Sequence, residues 1–576
     1  MSRLLGYATQ VALAWMYGPA QLGFYVIGVT LAQITNILAQ FGMDNGVVRY
    51  VAHYSAEGDA RRVRGTIIQA LLITFALSVV LSALLFLCAG FLADRVFDKP
   101  FLETMFRAFL VAVPFFTVMS MALWATQGFQ TVKYQSYVQD LVRPVLNLAF
   151  IAVFYLLGVQ VLGAVAAYVL SMAFGAALSL YYLRRVYPNL LNRELKPKFE
   201  SRALFEASGP MIVTSFTQQI NSWLALLVLG VFEPVWVAGV YSVAFRTAAL
   251  STLVLFALSG IFSPMVSSLY RRGLSQDLGY LYKDVSRWAF TGALAFFLIT
   301  ALLGRDVMAV FGDDFVPGWP VIVVVAAAQL FSSSVGPTAR VLAMTGHQRM
   351  VMFATLGSAA AAVVLNLVLV PFFGIYGAAA ATAAAMVLVN VLTLLSVRRY
   401  LGFWPYSVRY AQPVAAGLVA AASVYLAQWL VLPGYSGAAA LLVFVPLFLA
   451  VFGALLVGLG LSQSDRQFFG LFLVRRPPQR PPRGSTGPEG SLSWCPTKRS
   501  RYCTSLALGG AGAPYSGTYW GRSKDSSTAA SLTLSGSMAF WRTGCAAAGR
   551  RSASAGCGLR LRKGRLVGWT GQGPGR

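Results

Sequence analysis

The chain has 576 residues, 57% of them hydrophobic and only 11% charged, with 45 Lys and Arg against 19 Asp and Glu for a net charge of +26. So low a charged fraction excludes an ordinary soluble enzyme, in which about 25% of residues are charged, and the apolar content excludes a disordered chain. A uniform excess of positive charge would point to nucleic acid. Here, however, residues 475–576 hold 17 basic residues against Glu489 and Asp525, a net +15, which leaves +11 on residues 1–474. The nucleic-acid reading is therefore set aside, and the first 474 residues read as a membrane protein.

Taken in chain order, apolar stretches long enough to cross ~30 Å of hydrocarbon as helix are expected near 3–17, 23–42, 66–92, 107–128, 137–157, 161–183 and 210–231. Seven more follow near 236–265, 288–311, 319–344, 350–373, 376–397, 411–432 and 437–461, fourteen in all. The first is short and starts almost at Met1, so the natural start is expected upstream. It is not a signal peptide, because no small-residue cleavage site follows and the next span begins at once. With the N-terminus cytoplasmic, 20 basic residues fall in cytoplasmic connections and only Arg95, Lys99, Arg107 and Arg305 in outer ones. This is the positive-inside bias, and it predicts a multi-pass protein of the cell membrane with both termini cytoplasmic. Most loop arginines then serve as orientation signals near anionic lipid.

The chain also repeats itself. Ala125-Thr126-Gln127-Gly128-Phe129-Gln130 matches Ala343-Met344-Thr345-Gly346-His347-Gln348, and Val145-Leu146-Asn147-Leu148 recurs as Val364-Leu365-Asn366-Leu367. Gly158-Val159 with Gly163-Ala164 resembles Gly374-Ile375 with Gly377-Ala378. Pro19 before Gly23-Phe24-Tyr25 matches Pro234 before Gly239-Val240-Tyr241. The offset spans six helices, an even number, so the halves share one orientation with a path between them. The predicted fold is an all-α polytopic membrane protein of two parallel six-helix lobes, 1–209 and 210–400, with a helix pair over 401–474 and a basic tail over 475–576.

Charges inside spans mark candidate sites, since each costs at least ~2.5–3.5 kcal/mol on insertion scales. Arg3, Arg143, Arg246 and Arg340 fall there. Asp140 precedes Arg143 by three residues and is the expected structural or coupling partner. Arg246 and Arg340 have no acid nearby in sequence. The seventh span adds Gln218, Gln219 and Asn221, and the tenth adds Gln329 and Ser332-Ser333-Ser334. Together these predict a hydrophilic, cationic cavity suited to an anionic, hydroxyl-rich substrate. Interhelical hydrogen bonding is the competing account of the amides. No phosphate-binding loop, metal-ligand spacing or nucleophile–base constellation occurs, so neither a cofactor nor enzyme chemistry is expected.

Ser2-Arg3-Leu4-Leu5-Gly6 leading to Tyr17-Gly18-Pro19 and Leu22-Gly23-Phe24-Tyr25 is similar to the opening of Wzx-type oligosaccharide flippases. So are Phe41-Gly42-Met43-Asp44, Gly239-Val240-Tyr241-Ser242-Val243-Ala244-Phe245-Arg246 and Gly374-Ile375-Tyr376-Gly377-Ala378. The resemblance covers about residues 1–465. It implies the fold shared with MATE multidrug exporters and lipid II flippases, and a carrier that turns polyprenyl-diphosphate-linked oligosaccharide from the cytoplasmic to the outer leaflet for surface polysaccharide synthesis. On that resemblance Arg3, Arg246 and Arg340 would hold the diphosphate, with membrane lipids and other polysaccharide-assembly proteins as partners. Asn221 stands where relatives often carry an acid, which weakens an ion-coupling role there. A MATE-like drug exporter and a membrane glycan polymerase or ligase are the alternatives. The first would want an acidic cavity, the second a long catalytic outer loop, and no outer connection exceeds about 15 residues.

After Val474 isoleucine and asparagine vanish, while Cys495, Cys503, Cys545, Cys557 and four tryptophans appear among Arg, Gly, Ser and Pro. A shifted reading frame accounts for this composition best, and a polybasic arm on anionic lipid is the functional alternative.

Overall fold

The computed structural model describes residues 2–192, 194–199, 217, 219, 223–430 and 437–459, with only the backbone given for Ser2, Arg3, Leu4, Leu191, Gly260 and Ile261. The expected boundary at 209/210 and the tail after 474 lie outside the described residues.

The described chain is helical. In order come α1 (Ser2–Gln40), α2 (Met43–Ala56), α3 (Ala60–Phe91), α4 (Phe101–Leu110) and α5 (Ala112–Gly128). A π-helical turn at Ser136–Val142 leads into α6 (Arg143–Leu156), followed by α7 (Val161–Val186). The next stretches are α8 (Trp223–Phe232), α9 (Val235–Ala249), α10 (Leu253–Arg271) and α11 (Ser275–Ala309). The last are α12 (Trp319–Val335), α13 (Thr338–Met344), α14 (Gln348–Leu401), α15 (Ala411–Leu430) and α16 (Gly437–Gly458).

Among the described residues, eleven helical stretches are long and apolar enough to span a membrane. Two of these fold back on themselves. In α14 the Ser358 hydroxyl donates to the Ala385 carbonyl at 2.8 Å, although 27 residues of straight helix would separate them by about 40 Å. The reversal sits at Gly374, whose φ of 55° suits glycine, three residues after Pro371. In α1 the turn falls at Gly18, φ 71°, followed by Pro19. There Gly6, Thr9 and Gln10 line the same cavity as Val29 and Gln33. With both reversals counted, thirteen of the fourteen expected spans have a counterpart; the seventh, 210–231, lies mostly outside the described residues, α8 being its described part. Leu87, Leu156, Phe372 and Leu442, each about 80% exposed, form part of the apolar outer belt that lipid would cover.

The repeat has a structural counterpart. A Cβ built on Gly23 would lie 2.0 Å from the Val235 carbonyl oxygen, and one on Gly239 would lie 2.1 Å from that of Pro19. The repeat-related glycines thus face each other's turn reciprocally, as a two-fold contact requires, and α1 and α9 meet backbone to backbone. Each half then breaks its second span at the other end. In α1 the break is at Phe41–Gly42, both with positive φ, and between α9 and α10 it is a 3₁₀ turn at Leu250–Thr252. The segment after the first break, read from sequence only as a loop, is the helix α2. It buries Met43, Val47, Val51 and Tyr54 against α3 and α5. The helices α15 and α16 pack Ala416, Ala420, Phe444, Phe448 and Phe452 on α11 around Leu303.

Candidate functional site

Between the two halves lies a cavity of about 670 Å³. Its walls are α1, the π turn and start of α6, α8, α9, the 250–252 break, α12 and α14. A side chamber of about 130 Å³ runs into the first half past Arg143, Asn147, Tyr25 and Tyr168, and it shares Arg143, Arg246 and Gln33 with the main cavity. A vestibule of about 400 Å³ shares Gln33, Gln139, Gln219 and Trp223 with it and reaches Gln40, Gly42 and Asp44. The cavity therefore communicates with the end of the bundle where both second spans break.

At the opposite end the halves are shut. Besides the glycine contacts, the Lys99 ammonium, in the turn between α3 and α4, donates to the Gly230 carbonyl of α8 at 2.7 Å. Four residues after Gly230 stands Pro234, which has no N–H. The carbonyl consequently lacks its helical donor, and Lys99 of the other half supplies one. Three further bonds join the halves along the cavity: the Gln10 amide donates to the Ser242 hydroxyl at 3.0 Å, the Trp223 indole N–H to the Gln33 carbonyl oxygen at 3.0 Å, and the Tyr7 hydroxyl to that of Thr247 at 3.2 Å.

Arg143 and Arg246 both line the main cavity and its side chamber. Among the described residues neither guanidinium makes a hydrogen bond or an ion pair. Several arginines outside the cavity do find protein partners. Arg64 donates to the Leu190 carbonyl at 3.0 Å and to that of Leu195, Arg107 pairs with Glu103 at 2.6 Å, and Arg305 stacks over Trp319. An arginine with no protein partner, deep between helices, leaves its five donors for something else. Asp140 is the one acid lining the main cavity among the described residues. Around these groups stand the amides of Gln33, Gln139, Gln219 and Gln329, the hydroxyls of Tyr7, Thr30, Tyr241 and Ser242, and the rings of Trp223 and Phe245. Such a lining can bind an anion and hydrogen-bond a polyhydroxylated group beside it.

The sequence-predicted residues are thus partly brought together. Arg246, Arg143, Asp140, Gln219 and Gln329 share the cavity. The expected Asp140–Arg143 ion pair is absent among the described residues: the wider π turn, closed by i→i+5 bonds, rotates Asp140 off the α-helical stack that would place it beside Arg143. Arg340 is displaced as well. The chain breaks at Gly336-Pro337 and restarts as α13, so Arg340 is exposed and lines a separate hollow of about 290 Å³, which meets the main cavity at Thr252. The side chain of Arg3, and all of Gln218 and Asn221, lie outside the described residues. Sequence reasoning missed Gln10, Gln33, Gln139 and Trp223. Amides within the first, second and fifth spans were the available signal for three of these.

Residues 1–270 match the family described as polysaccharide biosynthesis protein. Over 453 residues the chain is 24% identical to Stage V sporulation protein B of Bacillus subtilis, covering 73% of this chain and 86% of that protein. It is 26% identical over 264 residues to the probable low-salt glycan biosynthesis flippase Agl15 of Haloferax volcanii. That match covers 46% of this chain and 54% of the relative, so the chain spans about half of Agl15. Among solved structures, the lipid II flippase MurJ in its inward closed conformation is similar with a TM-score of 0.64 at 11% identity, over 82% of this chain and 98% of MurJ. An inward-facing MATE multidrug resistance transporter of the MOP superfamily is similar at 0.58 and 14%, over 70% and 95% of the two chains. The chain is thus similar over its first 270 residues to the polysaccharide-biosynthesis family, and along most of its length it shares the fold of MurJ and of this MATE transporter.

Proposed function

We propose that the protein is a flippase for a polyprenyl-diphosphate-linked oligosaccharide, working by alternating access between its two halves. The observation that carries this reading is the pair of unpartnered guanidiniums, Arg143 and Arg246, in an amide- and hydroxyl-lined cavity that communicates with one end of the bundle and is closed at the other. A sugar head group cannot cross hydrocarbon unaided, because each uncompensated hydroxyl costs about 2–7 kcal/mol. The polyprenyl tail has no such cost and stays in lipid. The cavity supplies the missing hydrogen bonds, and the two guanidiniums match the diphosphate with forked, charge-assisted donors.

The positive-inside bias makes the open end cytoplasmic, since Arg49, Arg61, Arg184, Arg271 and Arg398 are at that end and Lys99 and Arg305 at the closed one. In this state the cavity loads from the cytoplasmic leaflet. Separation of Gly23 from Val235 and of Lys99 from Gly230 then opens the outer side. The cationic lining also separates this reading from drug export, because a cationic drug would be repelled by the two arginines. The test is complementation of a flippase-deficient strain. Wild type should restore surface glycan, whereas Arg246→Ala, expressed to the same level, should leave lipid-linked oligosaccharide accumulating in the cytoplasmic leaflet. Full export by Arg246→Ala would refute the reading.

A further inference from the structure

The hollow around Arg340 has a polarity of its own. It opens between α10, α13 and the second arm of α14. Five hydroxyls and one amide line it, and their hydrogen bonds fix what they can offer; the Thr252 hydroxyl donates to the Ala249 carbonyl at 2.8 Å. The Thr393 hydroxyl donates to the Val389 carbonyl at 2.9 Å, so in its 2.9 Å contact with Thr338 it accepts and Thr338 donates. Ser332 donates to the Asn390 carbonyl oxygen at 3.3 Å, and Asn390 spends one amide hydrogen on the Met386 carbonyl at 2.7 Å. Ser259, also in the lining, donates to the Leu255 carbonyl at 2.6 Å. Every one of these hydroxyl hydrogens is committed to the protein. What is left toward the hollow is hydroxyl lone pairs, one Asn390 N–H and the exposed Arg340, which has no hydrogen bond or ion pair among the described residues.

Lone pairs call for a ligand that donates, and a single guanidinium fork calls for two coplanar anionic oxygens. An inorganic anion or a bare diphosphate meets the second demand and not the first. A neutral sugar meets the first alone. We propose that this hollow is a subsite for a carboxylated sugar, a uronic acid unit of the glycan, whose hydroxyls donate to Ser332 and Thr338 while its carboxylate takes Arg340. The inference rests on the flippase reading. Because the hollow meets the main cavity at Thr252, one oligosaccharide can place its diphosphate between Arg143 and Arg246 and a later sugar here.

The test measures binding to the full chain in nanodiscs of three probes: farnesyl diphosphate, farnesyl diphosphate carrying a neutral trisaccharide, and the same with a glucuronic acid unit in place of one hexose, tried at each position. Wild type should bind one uronic-acid probe roughly tenfold more tightly than the neutral one, the scale of one charge-assisted hydrogen-bonded contact. Arg340→Gln should erase that preference and leave the neutral probe and farnesyl diphosphate unchanged. Arg340→Lys should retain part of it, since the charge stays but the fork is lost. Absence of any acid preference in wild type would overturn the proposal, as would an Arg340→Gln variant that weakens all three probes equally. Failure of wild type to bind farnesyl diphosphate would instead overturn the flippase reading, and the subsite with it.

Discussion

A single methyl group at Gly239 should shift the balance between the two access states. In the closed-end contact a Cβ there would sit 2.1 Å from the Pro19 carbonyl oxygen and 3.1 Å from the Gly23 nitrogen. Ordinary non-bonded contacts begin near 3.5 Å, so α1 and α9 must part by about 1.4 Å. Both atoms are backbone and cannot turn aside. Forced overpacking of this kind costs about 1–3 kcal/mol. In the outward-open state the contact no longer exists, and the cost falls on one state alone. At ~2 kcal/mol the ratio of states changes about thirtyfold. The assay is pulsed electron spin resonance between labels at Asp98 and Phe232, which belong to opposite halves at the closed end, in a protein whose native cysteines have been replaced. Gly239→Ala and, by the reciprocity of the contact, Gly23→Ala should both move the distance distribution to longer values and slow transport. Gly453→Ala, whose added Cβ meets nothing within 4 Å, should do neither. Unchanged distances in both interface variants would refute the claim that this contact closes the bundle.

Three further outcomes are expected. Lys99→Met removes the donor that replaces the missing N–H of Pro234, so the same label pair should separate, by less than in Gly239→Ala because water can reach the freed Gly230 carbonyl. Transport in proteoliposomes should accelerate when an inside-negative potential is imposed, because moving negative charge outward gains ~2.3 kcal/mol per charge per 100 mV; a rate that ignores the potential and demands a pH gradient would contradict this. Truncation after Val474 should leave transport at wild-type level, and its loss with expression intact would give the basic tail a function.

Much of the bundle was legible in sequence because hydrocarbon imposes one rule: segments that cross must be apolar and about 20 residues long. The pairing of Pro19 and Gly23 with Pro234 and Gly239 was legible as a repeat, but not as a contact, since an offset cannot say that two copies touch. The helix α2 was hidden because its apolar residues Met43, Val47, Val51 and Tyr54 cover one stripe of a segment too polar to be read as a span. At the site, charge inside a span was enough to find Arg143 and Arg246. It misled at Arg340, where Gly336-Pro337 breaks the helix and carries the guanidinium out to a hollow of its own. The ion pair of Asp140 failed for a similar reason, because the local helix is π rather than α. Gln10 and Gln33 became visible only when Ser242 and Trp223 were placed across from them.

The most direct test is translocation of a fluorescent polyprenyl-diphosphate-linked oligosaccharide in proteoliposomes, scored by its accessibility to an impermeant quencher. Wild-type protein should bring the probe to the far leaflet, and the Arg143→Ala, Arg246→Ala double variant should reduce the initial rate at least tenfold while keeping its fold and its distance distribution. Equal rates for the two proteins would contradict the claim that these unpartnered arginines carry the diphosphate through the cavity.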